Sequence, residues 1–245
     1  MELPKLYKGK FVKRYKRFFA DIKYKGEIIT AHTPNTGSMK GCLIDNADCL
    51  FSTNNDPKRK LKHTLFAIKD TDSWIGVHTG MPNKLVYELW ESKTYKPWKK
   101  YRFAKPEVKI SKETRFDLCF WNNEELNGKK TFTDEDFAKD TFHFVEVKNV
   151  TLKKGKKALF PDAVTTRGQK HIRELIELKK KGHTVELVFV IQRTDVTSFS
   201  PAKDIDPVYA ELLAQAKEEG VIITPLMFEV SKTKIEMVKK VPLKI

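Results

Sequence analysis

Several features that would assign this chain to a common protein class are scarce or missing. Only three of the 245 residues are cysteines, Cys42, Cys49 and Cys119, and they form neither an even disulfide set nor a CxxC metal pair. The six histidines are scattered without HxH or HxxxH spacing, which argues against a zinc site. These absences predict reduced, buried thiols and a cytoplasmic location.

Long apolar runs are also absent. The longest, from Val185 to Ile191, contains Glu186 and is far shorter than the roughly 20 residues that a transmembrane helix needs. The first residues, Met1 to Lys5, have no apolar segment of the signal-peptide type. We therefore expect no secretion and no membrane partner.

Acidic residues are the scarcer charge. The chain has 47 Lys+Arg against 32 Asp+Glu, a formal net charge of +15, and 40% hydrophobic residues, enough for a folded core. This excess favours a polyanionic partner, most often nucleic acid. Because only 8 of the basic residues are arginine, general lysine enrichment is the alternative, and base readout by bidentate arginine contacts is expected to be weak.

The pattern of turns and apolar residues divides the chain near residue 80. Residues 1–81 predict about five short strands joined by Gly, Pro and Asn turns, the pattern of an OB-like β-barrel that binds nucleic acid, with a small β-sandwich as the alternative. Residues 82–245 predict a helix, three strands, and then helix, strand, helix and strand, an α/β domain. The polar stretch 122–140 is predicted to be a loop or lid.

The strongest chemical signal lies in the predicted strand from Phe142 to Val150. Side chains alternate along a strand, so Glu146 and Lys148 share one face while the valines between them face a core. Asp117, in a neighbouring predicted strand, can share a divalent cation with Glu146. Two carboxylates suit Mg²⁺ or Mn²⁺, and the lysine can orient a water for attack on a phosphodiester. An exposed Glu–Lys ion pair is the alternative.

Several longer motifs resemble one known family. They are His32 to Met39, Asn55 to Lys60, Val145 to Leu152, Leu159 to Thr165, Arg167 to His171 and Ile205 to Pro207. In this order, along nearly the whole chain, they resemble the sugar fermentation stimulation protein (SfsA) family.

The resemblance implies an OB-like domain followed by a restriction-endonuclease-like domain of the PD-(D/E)-X-K type. Asp117 would then be the first acid, Glu146 the second and Lys148 the lysine. Phe116 stands where the name of that superfamily has proline. The resemblance also implies DNA binding and a link to the regulation of sugar metabolism, while nuclease activity is implied by the fold.

Two further residues are candidates for the same site. Gln169, at the start of the helix after the Glu146 strand, is expected to reach the active site, or else to close a capping box with Thr166. Glu88, on the first helix of the α/β domain, is a candidate third metal ligand, or else a solvated glutamate.

Candidate nucleic-acid contacts lie in both predicted domains. Basic residues next to aromatic residues are typical of an OB surface that holds single strands, and a hydroxyl-rich turn can contact phosphate. The alternatives are aromatic core packing and an ordinary structural turn. The candidates are Lys13, Arg14, Arg17, Asn35, Thr36, Ser38, Lys58, Arg59, Lys60, Arg167 and Lys170.

The sequence thus predicts a two-domain protein that binds single- or double-stranded DNA. Its site is expected to be a Mg²⁺- or Mn²⁺-dependent nuclease centre. A transcriptional regulator that binds DNA without cleaving it is the alternative, and RNA binding is not separated from DNA binding by the sequence. A homodimer is compatible with this prediction.

Overall fold

The computed structural model describes residues 1–35, 37–110 and 114–245. Six strands of the amino-terminal part form the first sheet: β1 (Leu6–Tyr15), β2 (Phe19–Tyr24), β3 (Glu27–His32), β4 (Asp48–Thr53), β5 (His63–Asp70) and β6 (Ser73–Gly76). Their order is β3-β2-β1-β4-β5-β6, and a further parallel pairing joins β3 to β5, so the first five strands form a closed ring of hydrogen-bonded neighbours.

The ring surrounds a core of its own. Alternate residues of each strand point into this core, because side chains along a strand alternate between its two faces. Phe11, Ile22, Phe51 and Ile68 are among its fully buried residues. The stretch around Cys42 forms turns, and the Cys42 side chain is buried in this core.

The carboxy-terminal part begins with helix α1 (Pro82–Glu91) and is built on a second sheet. That sheet contains β7 (Phe103–Lys109), β8 (Arg115–Trp121), β9 (His143–Val150), β12 (Thr184–Ile191), β14 (Ile222–Val230) and β15 (Ile235–Lys240) in the order β15-β14-β12-β9-β8-β7. Three central strands, β9, β12 and β14, are parallel, and the other neighbours are antiparallel. The predicted loop 122–140 contains the short helix α2 (Asp134–Lys139).

Helices α3 (Thr166–Lys180) and α4 (Pro207–Glu218) cover one face of this sheet. The other face packs against α1 and against residues of the first sheet, such as Leu50 and Phe66, in one continuous core. The first sheet therefore shares an apolar interface with the second. None of the described helices is long and apolar enough to cross a lipid bilayer.

Three short strands form a third sheet beside the β9 end. They are β10 (Leu152–Lys154), β11 (Lys157–Phe160) and β13 (Ser198–Pro201), with β11 in the centre. The lysine-rich segment 153–157 thus lies in the β-hairpin of β10 and β11. Its Lys153 forms ion pairs with Asp70 and Asp195 and is not a free cation.

Candidate active site

Two neighbouring strands bring the predicted acids together. The antiparallel register of β8 and β9 pairs Leu118 with Val145, and the same register places Asp117 opposite Glu146. The backbone N–H of Val147 donates to Asp117 Oδ2 at 2.7 Å, which fixes the Asp117 carboxylate against β9. The pairing of Asp117 with Glu146 that the sequence predicted is therefore present in the fold.

Glu146 is buried, and the side chains of a lysine and a histidine both contact one of its carboxylate oxygens. Lys148 Nζ donates to Glu146 Oε1 at 2.5 Å, and His171 Nδ1 of α3 contacts the same oxygen. Lys148 Nζ also lies 3.4 Å from His171 Nδ1. The other oxygen, Glu146 Oε2, is buried and has no hydrogen-bond partner within the described ranges 1–35, 37–110 and 114–245.

The environment shifts the two acids in opposite directions. Burial, and then the charge of Glu146, raise the pKa of Asp117 to about 6, although the donors from Val147 and Asn83 work against the rise. Burial also raises the pKa of Glu146, but the combined effect of Lys148 and His171 is larger, so its pKa is lowered. The Glu146 carboxylate is therefore ionised at neutral pH.

These groups lie in a cleft of about 400 Å³ between the two parts of the chain. Its walls come from α1, β8, β9 and α3 on one side and from the turn after β3 on the other. The lining includes Asn35, Gly37, Thr79, Asn83, Asp117, Glu146, Lys148, Asp162, Arg167 and His171. The turn after β3 thus completes a cleft whose acids belong to the second sheet.

Two residues that contact the acids of the cleft, Asn83 and His171, were not predicted from the sequence. Asn83 Nδ2, in the first turn of α1, donates to Asp117 Oδ1 at 2.8 Å. His171 lies one helical turn after Arg167, whose Nε is 3.5 Å from His171 Nε2. The sequence indicates His171 only as the last residue of the Arg167 to His171 motif.

The structure does not bring Gln169 to Glu146. Its amide donates to both oxygens of Asp206, at 2.9 and 3.2 Å. The capping box with Thr166 is not formed either, because Thr165 is the N-cap residue of α3 and accepts from the N–H of Gly168. Gln169 therefore joins α3 to the start of α4, and His171 occupies the place expected for it.

Glu88 also lies away from the cleft. Its Oε2 is 3.0 Å from the amino-terminal ammonium of Met1. Among the described residues, no cluster of three or more His, Cys, Asp or Glu side chains is arranged to hold a metal ion. The third ligand that the sequence assigned to Glu88 is not supported by this position.

The turn residues that the sequence predicted to contact nucleic acid bind mainly to other residues of the protein. Arg14 donates to the carbonyls of Asn35 at 2.6 Å, Gly37 at 3.0 Å and Ser38 at 3.2 Å, so its guanidinium shapes the turn. Ser38 Oγ donates to Asp162 Oδ2 at 2.9 Å and joins the turn to the segment before α3. Thr36 lies outside the described residues.

Other basic candidates remain at the surface. Lys13, Arg17, Lys58, Lys60, Arg167 and Lys170 are exposed, and Arg59 is half-buried. Arg167 lines the cleft. Arg59 donates to Thr64 Oγ1 at 3.1 Å. Lys13 lies 3.9 Å from Asp21, and Lys170 lies 3.8 Å from Glu174. Both parts of the chain thus carry exposed basic side chains, whereas Arg14 is committed to structure.

The chain has a domain whose strands form a closed ring, followed by an α/β domain. An acidic pair and a lysine lie in the cleft between the two domains. These features define the class of two-domain protein to which the chain belongs. Two family descriptions match these parts: "SfsA N-terminal OB domain" over residues 12–77 and "Sugar fermentation stimulation protein RE domain" over residues 80–234. This chain belongs to the sugar fermentation stimulation protein family, as the sequence motifs predicted. We call residues 12–77 the OB domain and residues 80–234 the RE domain.

Individual relatives extend the likeness over the whole chain. A sugar fermentation stimulation protein homolog of Bdellovibrio bacteriovorus is 46% identical and that of Pelagibacter ubique 45%, each alignment covering 98% of both chains. The solved structure described as Pyrococcus furiosus SfsA in complex with Ca²⁺ superposes with a TM-score of 0.84 at 28% identity, covering 100% of this chain and 98% of the other.

Proposed function

We propose that this chain is a DNA-binding protein whose RE domain is a nuclease of the PD-(D/E)-X-K type and whose OB domain is a barrel that secures the strand. One observation carries the proposal. Asp117, Glu146 and Lys148 meet in one cleft, where the buried Glu146 Oε2 has no partner among the described residues. The bound Ca²⁺ named for the Pyrococcus furiosus relative supports a divalent cation.

The residues present fit a hard divalent cation. Glu146 Oε1 already accepts from Lys148 and His171, which leaves Oε2 for a further ligand. Asp117 and Glu146 would hold Mg²⁺ or Mn²⁺, because these ions prefer carboxylate oxygens together with phosphate oxygens and water. When bound, the ion would polarise the scissile phosphate and stabilise the charge that develops on its oxygens.

The remaining steps fall to the side chains of the chain itself. The Lys148 ammonium has three donors, and only one is needed for Glu146, so the others can orient a water or a phosphate oxygen. Asn83 and the Val147 N–H hold the Asp117 carboxylate in place. Arg167, exposed at the rim of the cleft, supplies a charge for the adjoining phosphate.

Cleavage of single-stranded and duplex DNA, measured with Mg²⁺ or Mn²⁺ against EDTA, tests this proposal. Glu146→Gln and Lys148→Ala are each expected to lower the cleavage rate about a hundredfold or more, since metal and charge stabilisation is worth several kcal/mol. Glu88→Gln is the matched control, because it removes an acid on α1 that lies outside the cleft, and it should cleave normally.

A separate binding measurement distinguishes the alternative. The regulator linked to sugar metabolism, to which the family name points, would bind DNA with an affinity that falls as salt rises. Salt-dependent binding with no metal-dependent cleavage would replace the nuclease proposal by the regulator. Calorimetry with Mn²⁺ alone should also show binding that Asp117→Asn abolishes. We propose that the protein acts in the cytoplasm, where its buried thiols stay reduced.

A further inference from the structure

A groove on the OB domain lies next to an exposed aromatic ring. The groove has a volume of about 330 Å³ and is lined by Phe19, His32, Arg59, Lys60 and Leu61. The ring of Phe18, 40% exposed, stacks on His32 with the centroids 6.4 Å apart and the planes inclined by 29°. We call Phe18 together with these five residues the aromatic groove.

We propose that the aromatic groove binds an unpaired base of a single nucleic-acid strand, which stacks on Phe18 and His32 while Lys60 contacts the neighbouring phosphate. The inference rests on the proposed function and deepens it, because it makes an unpaired strand, rather than an intact duplex, the substrate class. Intact duplex keeps its bases stacked on one another and offers no free face to Phe18.

The composition of the groove favours this occupant over an apolar one. Phe18 and His32 present flat rings, and stacking on such rings tolerates any base because every base has a π-face. Burial and the nearby Arg59 lower the pKa of His32, so its ring is uncharged at neutral pH. The adjacent loop carries Lys58, Arg59 and Lys60, of which both lysines are exposed, and this positive charge complements a phosphate backbone.

The groove is also close to the candidate active site along the chain. The backbone N–H of Thr33 donates to the carbonyl of Phe18 at 2.8 Å, which ties Phe18 to the end of β3. His32 lines the groove, and Asn35, three residues later, lines the cleft. Three residues span at most about 10 Å, so only a short segment of backbone separates the aromatic groove from the cleft.

Fluorescence anisotropy with labelled oligonucleotides tests the inference. The background is Glu146→Gln in EDTA, so that no strand is cleaved. The probes are oligo-dT, oligo-rU and a blunt DNA hairpin of matched charge whose strands are joined by a non-nucleotide linker, so that it has no unpaired base. Adding Phe18→Ala should weaken binding of both single strands about tenfold, the loss expected for one stacked base. Phe18→Trp should retain the affinity, and the hairpin affinity should not change.

Ile28→Ala is the matched control for loss of an exposed apolar side chain. Ile28 is 58% exposed and lies at the other end of β3 from His32, so its removal should leave single-strand affinity unchanged. A 2-aminopurine base within oligo-dT should also lose fluorescence when it binds the protein that retains Phe18, because stacking on the ring quenches it. Binding to the Phe18→Ala protein should not quench it. Unchanged single-strand affinity in Phe18→Ala, or an equal loss on the hairpin, would overturn the inference.

The outcome is distinguishable from failure of the proposed function. Metal-dependent cleavage by the unaltered protein, together with normal strand affinity in Phe18→Ala, would overturn only the aromatic groove. Loss of strand affinity and of 2-aminopurine quenching in Phe18→Ala supports the groove even if no cleavage is found, in which case only the nuclease proposal fails.

Discussion

At the scale of single residues, Asp117 is held where its charge opposes folding. Its pKa is raised to about 6 by burial and by Glu146, from an ordinary value of 3.8. Between these two pH values the folded protein keeps a proton that the unfolded chain has released. The stabilising contribution of this carboxyl is therefore fully present below about pH 4 and is lost as the pH rises through about 6.

Asp117→Asn should consequently stabilise the metal-free protein at high pH. A two-unit shift corresponds to about 3 kcal/mol, so we expect the free energy of unfolding to rise by about 2 kcal/mol at pH 8 and by little at pH 4. Urea unfolding in EDTA at pH 4, 6 and 8 measures the effect, with Glu88→Gln as the control. A gain of equal size at pH 4 and pH 8 would contradict this account.

The candidate site shows which single residues a sequence can reveal. Asp117, Glu146 and Lys148 were predictable because strand alternation and two predicted neighbouring strands place their side chains together. Asn83 was not, because its contact with Asp117 depends on the angle at which α1 packs on β8. His171 and Gln169 are two residues apart on α3, and only tertiary packing decides which of them faces Glu146.

At the scale of elements, the first turn of α3 is crowded at Gly168, both by its own N-cap residue Thr165 and by Tyr209 of α4. A Cβ added at Gly168 would lie 2.8 Å from Cγ2 and 2.9 Å from Oγ1 of Thr165, and 3.1 Å from the fully buried Tyr209. Thr165 is the N-cap of α3, so moving its side chain removes the bond from its Oγ1 to the Gly168 N–H. The preference for glycine here arises from contact and not from backbone conformation.

Gly168→Ala therefore has two opposing effects. Helix propensity favours alanine by about 1 kcal/mol, but the lost cap costs about 1 kcal/mol and the crowding against Tyr209 costs about 1–3 kcal/mol. We expect a net destabilisation of about 1–3 kcal/mol in chemical unfolding. In a double-mutant cycle, adding Thr165→Ala should cost less in the Gly168→Ala background than alone. A stabilised Gly168→Ala protein would show that the side chains of Thr165 and Tyr209 move away from the added Cβ without a cost in stability.

Most long elements were predictable because their periodicity is strong. The predicted order of helix, three strands, helix, strand, helix and strand is present as α1, then β7, β8 and β9, then α3, β12, α4 and β14. The hairpin of β10 and β11 was not predicted, because the lysine-rich sequence from Lys153 to Lys157 is typical of a solvated loop. The ion pairs of Lys153 with Asp70 and Asp195 form only in the folded chain. Strand β15, with alternating burial only at its start, also lacked a clear apolar pattern.

At the scale of the whole molecule, a buried arginine joins the OB and RE domains. Arg193 is fully buried; its guanidinium donates to Asp195 and to the Thr151 carbonyl at 2.7 Å and, across the interface, to Asp70 at 2.7 Å. Lys153 meets both aspartates. The sequence could not reveal this network, because Asp70 and Arg193 are 123 residues apart.

Backbone contacts also bring the OB and RE domains close together at this interface. The N–H of Gly76, at the end of β6, donates to the carbonyl of Gln192 at 2.9 Å, and a Cβ at Gly76 would lie 2.5 Å from Gln192 Oε1. Together with the shared core, these contacts fix the turn after β3 opposite Glu146. The cleft therefore depends on the domain interface as well as on its own acids.

Arg193→Met tests this dependence. It leaves Asp70 and Asp195 with Lys153 as their remaining cation, and breaking a buried ion pair costs about 3–5 kcal/mol. We expect calorimetry to show a lower melting temperature and separate transitions for the OB and RE domains, because the arginine connects the two. Lys180→Met, which removes an exposed ion pair with Glu177, should change stability by less than about 1 kcal/mol. A single transition with an equally small loss in Arg193→Met would show that the apolar interface alone couples the domains.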